Sequence, residues 1–187
     1  MTTLTKPSTN RSGTEEPTVI ETVELRRDSP FAHCTFGNVF SHEIACGLSR
    51  CLTERDDWSY RSEARDRVWT CHWRSENLPL AMAALLSDEV LNGLIKRMQD
   101  VFGEVLDEDF FVTANKQEPG DGSVVHNDYF ENPLNHLFFF THRLIVYNTG
   151  AAMAMGPRSF HAVSAITEGT RYSLCFSFTN ADHRYHL

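Results

Sequence analysis

The stretch GPRSFHAVSAITEGTRYSLCFSF, residues 156–178, carries His161 and, ten positions on, Arg171, with Ser173 following at one remove. SFHAVSAI and RYSLCFSF are short strand-like runs, and TEG between them is a turn signal. An arginine on an apolar strand is costly to bury unless it meets an anion. Residues two apart on a strand face the same way, so Ser173 adds a hydroxyl donor beside the guanidinium of Arg171. The fixed fork of an arginine suits a carboxylate in bidentate fashion. The pair therefore predicts a clamp for a small acid.

Working outward, VVHNDYF places His126 and Asp128 at i and i+2. On a strand both would face one way, and together they could ligate one metal. His161 on a second strand is the best candidate for the third ligand. Two histidines and a carboxylate on one face form the facial set that suits non-haem Fe(II) and leaves coordination positions open. Asn115, Lys116 and Gln117 precede the turn EPGDG on a strand expected to neighbour this site, with Asn115 in reach of the bound acid. Tyr147 lies on the face of Arg143 in HRLIVYN and is expected to hydrogen-bond in the pocket. Tyr129, Glu131 and Asn132 would line its mouth.

The rest of the chain supplies a frame. Its 187 residues suit one domain with a real core. The formal net charge of -8 argues against a general nucleic-acid binder. Five cysteines without a zinc spacing read as reduced thiols, and MTTLTKPSTNRSGTEEP has no apolar h-region. The expectation is a cytoplasmic protein with no membrane partner. Residues 1–18 are expected to form a loose N-terminal arm and residues 19–187 a single domain.

Within that domain a helical buttress is expected over about 41–106. Ser41 caps one helix, and Ser87 or Asp88 caps another whose buried stripe is Val90, Leu94, Met98, Val101 and Val105. VWTCHW reads as a strand with aromatics on one face. From about 108 to 180 short strand runs follow one another, which suggests a helix-buttressed antiparallel barrel or sandwich.

From Phe36 to Phe178 the sequence resembles the 2-oxoglutarate/Fe(II)-dependent oxygenases, most closely their prolyl-hydroxylase-type branch. The resemblance rests on FGNVFSHEIACGLSRCL, EPGDGSVVHNDYFEN, HRLIVYN and RSFHAVSAITEGTRYSLCFSF. It implies a double-stranded β-helix, the jelly roll shared with cupins, mostly β with supporting helices. It implies Fe(II) on His126, Asp128 and His161, and 2-oxoglutarate held by Arg171 and Ser173. O2 would be the second co-substrate, and ascorbate a reductant. The reaction implied is hydroxylation of an unactivated C–H of a small molecule, amino acid or peptidyl residue. The carboxylate of Asp128 favours hydroxylation over halogenation. The alternative is a non-catalytic jelly roll that binds a metal or a small acid.

One departure stands out. Relatives carry a further hairpin between the Tyr-Leu-Asn strand and the distal histidine, whereas only 35 positions separate His126 from His161 here. A shortened minor sheet is expected. Ala151–Met155 would then be an open edge, covered either by a second copy, giving a homodimer, or by TVIETVEL folding back.

Overall fold

The computed structural model describes residues 25–27, 32–63, 66–106, 110–127, 129–132, 137–140, 142–147, 151–156 and 159–178. The arm at 1–18, Asp128 and His136 lie outside the described residues, as do the side chains of Tyr129, Glu131 and Asn132.

Two amphipathic helices contribute to one core. Helix α1, His42–Thr53, starts at Ser41, whose hydroxyl accepts from the Ile44 amide at 3.4 Å. Helix α3, Asp88–Phe102, starts at Ser87, whose hydroxyl accepts from the Val90 amide at 3.4 Å. Each cap satisfies a helix-end N–H that would otherwise lack a partner. A short helix, α2 (Leu80–Ala83), lies between them. Val90, Leu94, Met98 and Val101 are buried as their spacing predicts. Val105 is not: it is 76% exposed. The helix stops at Phe102 because Gly103 takes the left-handed conformation, φ 71°, and turns the chain away.

Twelve strands are described: β1 Leu25–Arg27, β2 His33–Phe36, β3 Ser59–Ser62, β4 Asp66–Arg74, β5 Phe110–Gln117, β6 Gly122–Asn127, β7 Tyr129–Asn132, β8 Leu137–Phe140, β9 His142–Tyr147, β10 Ala152–Met155, β11 Phe160–Val163 and β12 Arg171–Phe178. Nine bond in the order β1-β2-β10-β9-β12-β5-β4-β6-β11, with β3 beside β4, and β7 and β8 pair separately. All pairings between these strands are antiparallel.

Strand alternation divides the large sheet into two faces. Leu174, Phe176 and Phe178 of β12 join Val112 and Ala114 of β5 and Leu144 and Val146 of β9 in one core with α1 and α3. Phe110 packs on Phe176 and Phe178 at ring separations of 6.1 and 5.1 Å. Trp58 and Trp73 pack against the same core. The other face of β12 carries Arg171, Ser173, Cys175 and Ser177. Buried serines there mean that the face away from the helices is enclosed yet polar.

Strands β5 and β12 pair along their whole length, from Phe110↔Phe178 to Gln117↔Arg171. Both chains then turn, through residues 118–121 and 164–170, and pair again as β6 and β11, where His126 stands opposite His161. One two-stranded ribbon thus bends over on itself, which is the geometry of a double-stranded β-helix. The two turns are clasped. The Gly120 amide donates to the Ile166 carbonyl at 2.8 Å, and the Ile166 amide to the Asp121 carbonyl at 2.9 Å. Asp121 is buried, and its carboxylate accepts from the Glu118 amide at 3.0 Å and from the Tyr60 hydroxyl at 3.1 Å. At Gly122 a Cβ would stand 2.8 Å from the Val163 carbonyl oxygen, so only glycine lets the two strands close.

The clasp gives a stability prediction. Replacing Asp121 by Ala leaves the buried turn without its acceptor, which costs about 2 kcal/mol. Urea unfolding is expected to show the loss as a lowered midpoint with unchanged slope. An unchanged midpoint would mean that the turn closes without the carboxylate.

The expected open edge is not found. Strand β10 lies inside the large sheet, with Ala152–Met155 bonded to β9 on one side and to Phe36–His33 on the other. Residues from FAHCTF take the place, and Leu25–Arg27 lies outside them. Of the two expected covers, chain from the N-terminal side is the one seen, through a segment later than TVIETVEL. The edge argument for a homodimer is thereby removed. At the other end of the order, β6 bonds to both β4 and β11, and among the described residues β11 is bonded to β6 alone.

Candidate active site

His126 and His161 are cross-strand partners, with ring centroids 4.5 Å apart and planes inclined at 51°. The bulge after His161, where the register shifts before Val163, re-aims this strand beside the pair. His126 Nδ1 lies 2.8 Å from the Val124 carbonyl, and His161 Nδ1 lies 3.3 Å from the Ser159 carbonyl. A carbonyl can only accept, so each Nδ1 carries the proton. In a neutral ring so protonated, Nε2 is the nitrogen able to ligate a metal. That tautomer, fixed by a backbone carbonyl, is the one a metal-binding imidazole adopts.

Two such rings side by side fit a divalent transition ion. The third expected ligand, Asp128, lies outside the described residues. Among the described residues no group of three or more His, Cys, Asp or Glu side chains converges on one point.

Across the ribbon's turns stands the second station. Arg171 is half-buried, and its Nη2 donates to Oε1 of Gln117, directly opposite on β5. Its Nε is buried without a hydrogen-bond partner among the described residues. Burial pulls Arg171 below the ordinary guanidinium value, and the nearby Tyr147 opposes that shift. The guanidinium carbon sits 6.0 Å from the centre of the Tyr147 ring. Burial raises the Tyr147 phenol above its ordinary value, with Arg171 pulling the other way. The phenol therefore stays protonated, as a donor, throughout the physiological range.

Ser173 completes this station. It is buried, and it faces Asn115 on β5 and Tyr147 on β9 in one rung across three strands. The expected set of Arg171, Ser173, Tyr147 and Asn115 is thus assembled on adjoining strands. A positive fork, two hydroxyls and an amide are all groups able to donate to a carboxylate.

Two features were not legible beforehand. Gln117 was one of three neighbours on its strand, and only the pairing register singles it out. His72, on β4, was read merely as part of an alternating strand. Its Nδ1 lies 3.1 Å from the Thr113 hydroxyl at an exposed position. Lys116 does not join the set around Arg171. It pairs with Glu118 at 2.7 Å and lies over the Trp69 ring at 5.2 Å.

No protein-family model and no curated protein matches the sequence. Solved structures do. A prolyl-4-hydroxylase from Pseudomonas putida superposes with a TM-score of 0.64 at 12% identity, over 79% of this chain and 92% of that one. An oxidoreductase of the 2OG-Fe(II) oxygenase family from Burkholderia pseudomallei gives 0.61 at 13% identity, over 83% and 88%. The non-heme α-ketoglutarate-dependent carbocyclase SnoK of nogalamycin biosynthesis gives 0.59 at 13% identity, over 80% and 79%. The chain has the jelly-roll fold of these oxygenases.

Proposed function

We propose that this chain is a 2-oxoglutarate- and Fe(II)-dependent oxygenase that hydroxylates a C–H bond. The observation that carries the reading is the pair of tautomer-fixed histidines on the ribbon whose other half carries the acid station. His126 and His161 would hold Fe(II) through Nε2, with Asp128 as the third ligand. Arg171 would take the distal carboxylate of 2-oxoglutarate, with Ser173, Tyr147 and Asn115 as further donors. Bound iron, with the keto acid and O2, supplies the oxidising chemistry.

The balance is 2-oxoglutarate + O2 + R–H → succinate + CO2 + R–OH. The protein contributes orientation and exclusion of water. The acid station fixes one end of the keto acid, so that its other end meets the histidines. The buried face around Ser173 would shield the clamped end of the acid from bulk solvent. A prolyl-4-hydroxylase and a carbocyclase share the fold, which supports a small molecule, amino acid or peptidyl residue as prime substrate.

The exposed place of β11, which among the described residues is bonded to β6 alone, favours a second reading, a jelly roll that binds a metal and an acid without turnover. One experiment separates them. The full chain, with Fe(II), ascorbate and 2-oxoglutarate under air, is expected to release succinate. Binding of the acid without any succinate, across candidate substrates, would establish the second reading. No binding would overturn both.

A further inference from the structure

Arg171 is charged, half-buried and aimed into an enclosed polar face. Among the described residues no carboxylate pairs with it. Its partner is the neutral amide of Gln117, itself buried and directly opposite in register. Arginine has no acceptor, so the amide must present its oxygen to the guanidinium. Its NH2 group is then turned away from Arg171 and remains a donor.

We propose that Gln117 is a positioning and specificity residue, which orients the guanidinium of Arg171 without cancelling its charge and so reserves the station for a monoanionic carboxylate. The inference rests on the reading of the site as a 2-oxoglutarate site. The neutrality of Gln117 is its substance. Glutamate has nearly the same shape, but it would form an ion pair with Arg171 and repel an incoming acid. Leucine would leave the charge in place and remove only the hold. Arg171 Nε, buried and without a hydrogen-bond partner among the described residues, is a donor that a carboxylate could satisfy.

The test compares Gln117→Glu with Gln117→Leu in the full chain. Anaerobic titration of the Fe(II)-loaded protein with 2-oxoglutarate reads affinity. Q117E is expected to weaken it by about 30-fold or more, as befits a like charge placed at a desolvated carboxylate site. Q117L is expected to weaken it by less than about tenfold, as befits loss of one orienting hydrogen bond.

Side-chain 15N NMR of Arg171, identified by its loss in R171M, reads the hold itself. Resolved Nη signals in the parent, averaged in Q117L, are expected. Equal losses of affinity in the two variants, or resolved Nη signals retained in Q117L, would overturn the inference and leave the oxygenase reading standing. A parent that binds no 2-oxoglutarate at all would overturn that reading, and this inference with it.

Discussion

Replacement of His161 by alanine is expected to reduce succinate formation by at least about 10²-fold, beyond the 10- to 100-fold typical of losing only an outer partner of a metal ligand. The expectation follows from position. His161 faces His126 across one rung, and each ring has its proton held on Nδ1 by a backbone carbonyl. Removing one ring leaves the other tautomer intact but takes away half of the described donor set. The strand should survive, because β11 keeps its backbone pairing with β6. Thermal unfolding close to the parent's, with Fe(II) binding lost in anaerobic titration, is the expected combination. Activity within a few-fold of the parent would remove His161 from the metal.

The second large effect is at the opposite station. Arg171→Met is expected to retain Fe(II) and to bind 2-oxoglutarate at least about tenfold more weakly, since the unmatched carboxylate loses a desolvated partner. Ser173, Tyr147 and Asn115 would still donate, but none carries charge. Calorimetry separates the outcomes. Equal affinity in parent and variant would make Arg171 structural, held by Gln117 for the sake of the sheet alone. The two variants thus fail in different ways, one in the metal and one in the acid, and a protein that merely lost its fold would fail in both.

The strands and the candidate site residues are legible for the same reason. A period of two decides which side chains share a face, so Arg171 with Ser173 could be read directly. The helix starts were legible because Ser41 and Ser87 are capping residues. What could not be read was pairing between distant segments. Nothing in HCTF announces that it lies against Ala152–Met155, because short strands do not encode their partners locally. The same limit hid Gln117, whose meaning arises only from standing opposite Arg171. Val105 was misread through period alone, since the apolar rhythm continued after Gly103 had ended the helix. In EPGDG the sequence marks Asp121 only as one residue of a turn. Its carboxylate closes that turn, and the only local trace is its place between Gly120 and Gly122.

The cover over β10 bears on how the chain is made. His33–Phe36 leaves the ribosome early, yet it pairs with a strand more than a hundred residues later in the sequence. Until Ala152–Met155 has emerged, Cys34 and Phe36, both fully buried at the end, have no sheet to join. Contacts of such separation are closed late and slowly, because the intervening chain must be ordered first. During synthesis the early segment, bonded to Leu25–Arg27 on one side, therefore presents an open edge on the other, the kind of species that aggregates or recruits chaperones. A circular permutant that places residues 25–36 after residue 178 would let them arrive when their partner is already present, and should refold faster than the natural order of the chain.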